Sequence, residues 1–154
     1  MNSKEFARRR KQLMDMVGPG GIVILPAAPV RTRSRDVEYR FRQDSDFYYL
    51  TGFAEPDAVI ALVPEREQGE FLLFCRDRDP DKERWDGSRA GPDGAISEYA
   101  ADDAFPIDDI DDILPGVMET CTRVYYTMGQ YSEFDTRIAE WTNSLRSRCL
   151  LYTS

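Results

Sequence analysis

The chain has 154 residues, of which 20 are basic and 28 acidic, so its formal net charge at pH 7 is −8. This charge argues against nucleic acid or an anionic membrane as the main partner, because neither would be attracted electrostatically. Histidine is absent from the sequence, which excludes Ser-His-Asp and Cys-His catalytic arrangements and removes the commonest transition-metal ligand.

The length predicts one domain, which can bury roughly 70% of the surface of its unfolded chain. No apolar run approaches the ~20 residues that span a bilayer, and no apolar stretch of a signal peptide follows the basic residues near the N-terminus. The three cysteines are odd in number and widely spaced, so we expect neither a disulfide framework nor a zinc site. A reducing, cytoplasmic location fits this pattern best.

The first predicted element is a helix that is capped by Asn2 or Ser3 and continues to about Val17. Its basic cluster, residues 8–11, spreads around the helix. We therefore interpret the cluster as charges exposed to solvent rather than as a nucleic-acid or targeting patch. A short β-branched strand, residues 22–25, follows the glycine-rich turn.

A polar segment from Arg31 to Arg42 precedes the most apolar part of the chain. It carries five arginines against Asp36 and Glu38, so it is too polar to be buried. We expect a loop at a sheet edge, where binding sites are often built.

The central stretch is predicted to form strands that are buried on both faces. Phe47 to Leu50 is apolar without alternation and predicts an inner strand. Residues 58–63, AVIALV, repeat the pattern after a turn at Glu55-Pro56-Asp57. Residues 71–75 predict a third strand that pairs with the second as a hairpin.

The next segment, from Arg76 to Gly94, is predicted to be a loop. Three aspartates alternate in it like the start of a calcium loop: Asp77, Asp79 and Asp81. Lys82 stands where the invariant glycine belongs, and Ser88 where the bidentate glutamate belongs. An acidic loop in solvent is therefore the better interpretation.

Trp85 in this loop has two interpretations that the sequence leaves open. The ring either packs into the domain or projects as an aromatic platform for a ligand or another subunit.

The C-terminal third predicts helix, strand and helix after a short connecting segment, residues 96–105. Residues 106–118 have apolar side chains at helical spacing, which predicts a helix. Four aspartates lie on its opposite face, which is more typical of a solvent-exposed helix face than of a metal site: Asp108, Asp109, Asp111 and Asp112. A strand is predicted at 123–127. Ser132 starts a last helix whose apolar stripe is expected to make core contacts: Phe134, Ile138, Trp141 and Leu145.

Helices around mostly doubly buried strands predict an α/β fold with a mixed β-sheet flanked by helices. The sequence RQDSDFYYLTGFAEPDAV at 42–59, followed by WDGSRAG at 85–91, resembles the N-terminal domain of the Xaa-Pro aminopeptidases (aminopeptidase P), metallopeptidases related to prolidase and creatinase. The resemblance covers roughly Ser3 to Arg148 and implies a creatinase/aminopeptidase P N-terminal-domain-like fold.

In that family a C-terminal catalytic domain of the pita-bread type holds a dinuclear metal, usually manganese, with aspartates, a histidine and glutamates. None of those ligand motifs occurs in this chain, so we expect no cofactor and no catalytic residue here. The expected domain is 1–148, without the catalytic domain. Residues 149–154, which are apolar and lack a cap or turn signal, are expected to be foreign or the start of a truncated linker.

The resemblance also implies a role for the domain in oligomer contacts and in the wall of the substrate entrance, with loops that reach a neighbouring subunit. The implied substrates are peptides with proline at the second position, and a homo-oligomer is implied. Carried over by position, the substrate-binding residues are Trp85, Arg89 and Asp36, with Gly87 in the same motif. For Asp36, a surface ion pair with Arg33 or Arg35 is an equal alternative.

Two alternative functions have weaker support in the sequence. The first is a stand-alone interaction module without enzymatic activity, as in relatives such as the large subunit of the FACT histone chaperone, for which the acidic balance permits a basic partner. The second, a carboxylate-metal nuclease, requires acidic residues that converge at strand ends, whereas the aspartates here lie in predicted loops and helix faces.

Overall fold

The computed structural model describes residues 3–29 and 42–153. Within these ranges the helices are α1 (Ser3–Val17), α2 (Ser45–Thr51), α3 (Pro80–Asp86), α4 (Gly91–Tyr99), α5 (Ile110–Met118) and α6 (Ser132–Thr153). The strands are β1 (Gly21–Pro26), β2 (Val59–Leu62), β3 (Phe71–Cys75), β4 (Asp103–Pro106) and β5 (Arg123–Tyr125). A short 3-10 helix, Ile107–Asp109, leads into α5.

The strands form one mixed sheet in the order β4-β3-β2-β1-β5. The inner pairs β1–β2 and β2–β3 are antiparallel, whereas the outer pairs β3–β4 and β1–β5 are parallel. The sequence thus predicted the mixed sheet and the β2–β3 hairpin correctly.

Successive residues of the three inner strands point to opposite sides of the sheet, and all of them are buried. Helices therefore cover both faces of the sheet. One core contains Ile60 and Leu73 with apolar residues of α1, α2 and α4. The other contains Ala61 and Leu72 with residues of α5 and α6. Trp141 is 6% exposed in this second core, as expected from the apolar stripe of the last helix.

The prediction of an inner strand at Phe47 to Leu50 is wrong, because this segment is helix α2. The Asp44 carboxylate caps the helix and accepts from the N–H groups of Asp46 and Phe47, both at 3.0 Å. Gly52 ends it in the left-handed conformation, with φ +69°. Phe47 and Leu50 are buried, but the two tyrosines between them are about half exposed, which is helical rather than strand periodicity.

Helix α1 has the predicted extent, but its basic cluster is not entirely exposed. Arg10 is 5% exposed. Its guanidinium lies 4.1 Å from the centre of the Phe71 ring and donates from Nη1 to the Leu50 carbonyl at 2.9 Å. Arg9 donates to the neighbouring Tyr49 carbonyl at 3.1 Å. Both arginines therefore bind the C-terminal end of α2, where a helix carries partial negative charge.

The prediction of a loop over residues 76–94 is also wrong, since most of that segment lies in α3 and α4. Asp79 caps α3 through the N–H groups of Asp81 and Lys82, and Pro80 occupies the first helical position, which proline favours. The alternating aspartates thus begin a helix. The connecting segment at 96–105 contains the end of α4 and part of the edge strand β4.

The C-terminal third follows the predicted order of helix, strand and helix. The four aspartates of the 3-10 helix and α5 are exposed, as expected of a wet helix face. Helix α6 extends to Thr153, so its backbone continues across the boundary that the sequence predicted at residue 148. The origin of residues 149–154 remains a prediction.

Candidate functional site

Trp85 is the most exposed aromatic side chain in the part of the chain that the structure describes, with 87% of its surface accessible. It is the next-to-last residue of α3. The interpretation as a packing residue is therefore wrong, and the ring projects into solvent. Large exposed aromatic side chains are typical of contact surfaces, because they offer much apolar area with few rotatable bonds.

The main chain on both sides of this ring is fixed by one carboxylate, Glu83. Its Oε1 accepts from the N–H of Arg89 at 2.6 Å, and its Oε2 accepts from the N–H of Asp79 at 3.1 Å. Arg78 donates from Nε to Oε1 at 3.1 Å. The Glu83 side chain is 8% exposed. We call residues 77–91 the Trp85 segment.

A second carboxylate, Glu55, holds the end of the Trp85 segment from the loop between α2 and β2. Its Oε2 accepts from the N–H of Ala90 at 2.9 Å, and Arg76 donates to its Oε1 at 3.4 Å. The side chains of Glu55 and Arg76 are both 15% exposed. The segment is thus fixed to the body of the domain as well as to its own helix.

Arg89 folds back onto the Trp85 segment. It donates from Nη1 to the Asp77 carbonyl at 3.2 Å, and the side chain is half-buried. Gly91 supports the packing nearby: its φ is +70°, and a Cβ there would lie 2.8 Å from Cγ of Arg78. Arg89 therefore contributes to the shape of the segment on which Trp85 stands.

The electrostatic environment keeps Glu83 charged. The N–H of Arg89 and the guanidinium of Arg78 lower the pKa of the Glu83 carboxyl below its ordinary value, the hydrogen bond from Arg89 being the larger cause. At the end of the adjacent strand, burial raises the pKa of the Cys75 thiol to about 12. Cys75 is therefore a buried thiol and not a nucleophile at neutral pH.

The sequence motif located Trp85 and Arg89, and the structure places them on the same segment. The third predicted residue, Asp36, lies outside the described residues. Glu83 and Glu55 were missed. Glu83 had a signal, since it stands four residues after the cap Asp79, close to the spacing of a capping box. The contact of Glu55 depends on the folded chain, and no local pattern indicates it.

The described residues offer no cluster of side chains for a metal pair. Residues 3–29 and 42–153 contain no group of three or more histidine, cysteine, aspartate or glutamate side chains that could hold a metal ion. What this part of the chain offers is an exposed aromatic side chain on a segment that is hydrogen-bonded to Glu83 and Glu55.

A second surface feature is an apolar hollow of about 530 Å³ between α1, α2 and β5. Its walls include Leu13, Val17 and Leu25, and Arg9 and Asp46 also line it. In the described ranges, no helix is both long and apolar enough to cross a membrane.

Comparisons with known proteins agree with this architecture. The family "Aminopeptidase P, N-terminal domain" matches residues 6–125. The Xaa-Pro aminopeptidase of Escherichia coli (strain K12) is 37% identical over 147 residues, which cover 95% of this chain and 33% of that protein. Xaa-Pro aminopeptidase 3 of Rattus norvegicus is 35% identical over 138 residues, covering 82% of this chain and 27% of that protein.

Among solved structures, the Pseudomonas aeruginosa aminopeptidase PepP matches with a TM-score of 0.93 and 59% identity, over 98% of this chain and 34% of that chain. The chain therefore spans about a third of the length of the bacterial relatives that it matches. With a matching family over residues 6–125 and the same mixed sheet flanked by helices, this chain belongs to the aminopeptidase P N-terminal-domain family.

Proposed function

We propose that this chain is the non-catalytic N-terminal domain of an Xaa-Pro aminopeptidase, which releases the first residue of peptides with proline at the second position. The observation that carries the proposal is Trp85, 87% exposed on a segment held by two carboxylates. The family match and the share of the relatives' length support it. The proposed domain is 1–148, followed in the complete enzyme by the catalytic domain.

In this proposal Trp85 forms part of the wall of the substrate entrance, in a homo-oligomer where it faces a neighbouring subunit. An aromatic face packs well against proline and small apolar side chains. Arg89 and Asp36 are proposed to contribute to the same wall, Arg89 through the shape of the Trp85 segment. The wall admits an extended peptide terminus and excludes folded protein.

The proposed catalysis belongs to the part of the enzyme that this chain does not cover. A dinuclear manganese site needs a cluster of ligands with an open position, and the sequence has no histidine to contribute. We therefore propose that the metal pair lies in the catalytic domain. A cytoplasmic location is proposed from the odd, widely spaced cysteines.

The proposal is tested by joining this chain to the remaining two-thirds of the Pseudomonas aeruginosa aminopeptidase, in place of the segment it matches. Release of the first residue from an Xaa-Pro peptide is measured with manganese. We expect turnover by the chimera and none by the 154-residue chain alone. Turnover by the chain alone would contradict the proposed non-catalytic role.

The substitution Trp85→Ala in the chimera should lower kcat/KM roughly 10-fold, because removal of an aromatic contact residue commonly costs more than ~1.4 kcal/mol of binding. Met16→Ala is the matched control, since Met16 is 84% exposed on another element and should leave kcat/KM unchanged. A folded but inactive chimera would favour the alternative of a protein-interaction module. Equal kcat/KM for Trp85→Ala and the parent chimera would exclude Trp85 from the entrance.

A further inference from the structure

The Glu83 carboxylate joins the main chain before and after Trp85. It binds the N–H of Asp79, which precedes α3, and the N–H of Arg89, which follows it. Glu55 binds the next N–H along the chain, that of Ala90. Two adjacent main-chain donors are thus held by carboxylates from different parts of the fold.

The bonds to Arg89 and Ala90 lie beyond the last residue of helix α3. The helix ends at Gly87, whose φ of +94° and ψ of 164° depart from helical geometry. The Trp85 side chain has few packing contacts of its own, because it is 87% exposed. The position of the Trp85 ring therefore depends on the backbone of α3 and on the hydrogen bonds that fix the residues after Gly87.

We propose that Glu83 is a positioning residue for Trp85: its carboxylate fixes the segment that presents the ring, and Glu55 completes the support at Ala90. This inference rests on the proposed function of Trp85 in the substrate entrance. Glu83 touches no substrate in it and acts only through the tryptophan.

The physical reason is preorganisation. A mobile segment loses conformational entropy when its contact residue binds the substrate, whereas a segment that is already ordered does not. Loss of this support should weaken the binding of the substrate and of the transition state equally, because the proposed wall contacts the peptide in both states. The expected effect is therefore a higher KM with kcat nearly unchanged.

Glu83→Gln tests the carboxylate with little change in volume. The amide keeps one oxygen, but its NH₂ group must face either the Arg89 N–H or the Asp79 N–H, and two donors cannot bond. The arginines that pair with the two carboxylates are not substituted: Arg78 on Glu83 and Arg76 on Glu55. Asp81→Asn is the matched control, because Asp81 is exposed on the same helix and loses the same charge.

The first measurement uses the 154-residue chain and nuclear magnetic resonance. In Glu83→Gln, the Arg89 amide should exchange with solvent at least 10-fold faster, and the indole N–H of Trp85 should gain fast motion. The buried indole of Trp141 serves as the internal reference. If Glu83→Gln does not fold, Glu55→Gln is measured at the Ala90 amide instead. If the Trp85 indole is equally ordered in Glu83→Gln and in the parent chain, the inference is overturned.

The second measurement is a double-mutant cycle in the chimera. Glu83→Gln should raise KM about 3- to 10-fold when Trp85 is present and leave it unchanged in the Trp85→Ala background. Equal effects in both backgrounds would overturn the inference and show a general structural role. If Trp85→Ala alone has no effect while Glu83→Gln mobilises the indole, the proposed function fails and the positioning role stands.

Discussion

The stripe of α1 that faces the core consists of Phe6, Arg10 and Met14, at intervals of four residues. The sequence shows Arg10 as one of four consecutive basic residues, although the helical period already places it between two apolar side chains. Burial lowers the pKa of the Arg10 guanidinium, which nevertheless stays charged because the ordinary value for arginine is so high. A residue's charge therefore predicted its environment less well than its position on the helix.

The substitution Arg10→Ala should destabilise the domain by about 2–3 kcal/mol, since it removes a charged hydrogen bond to the end of α2 and the stacking on Phe71. The measurement is urea unfolding followed by circular dichroism. Arg8→Ala is the control, because Arg8 is exposed and pairs only with Glu5 among the contacts described, so it should change the midpoint little. Equal midpoint shifts for the two variants would refute the structural role of Arg10.

Elements with a single clear pattern were predicted well. Doubly apolar runs located β2 and β3, and apolar stripes located α5 and α6. Helix α2 was missed because seven residues give too few turns for a visible period, and its four apolar positions suit a buried strand equally well. The cap Asp44 and the terminating Gly52 were signals that could have decided in favour of a helix.

Two glycines at helix ends allow a matched comparison: Gly52 follows α2, and Gly18 follows α1. A Cβ on Gly52 would lie 2.6 Å from Cε2 of Phe6, whereas a Cβ on Gly18 would meet nothing within 4 Å, and both have positive φ. Gly52→Ala should therefore cost about 2–4 kcal/mol, from strain plus the clash. Gly18→Ala should cost only the strain, about 1–2 kcal/mol. The difference is measured by urea unfolding, and equal costs would mean that Phe6 moves aside freely.

For the molecule as a whole, the candidate site could be predicted in part. The motif at 85–91 gave Trp85 and Arg89, because it is contiguous in sequence. Glu55 could not be found in this way, since it reaches Ala90 across 35 positions of the chain. The exposure of Trp85 also needed the folded structure, because composition and spacing were compatible with either a packed or a projecting ring.

The sheet separates two cores, which we expect to unfold together. Leu73 lies in the core with α1 and α2, whereas Trp141 lies in the core across the sheet. Leu73→Ala should lower stability by about 2–5 kcal/mol. The shift seen by Trp141 fluorescence should equal the shift seen by circular dichroism. A fluorescence midpoint that stays at the parent value would show that the two layers unfold independently.

The parallel pairing of β1 with β5 has a consequence for how the protein is made. Ile22 lies beside Val124 in the sheet, so the edge of β1 that faces β5 has no native neighbour until the residues between these two positions have been synthesised. The β2–β3 hairpin can close much earlier, because its strands are only a short connection apart. During synthesis, this unpaired edge of β1 is therefore open to pairing with other nascent chains until β5 has been made.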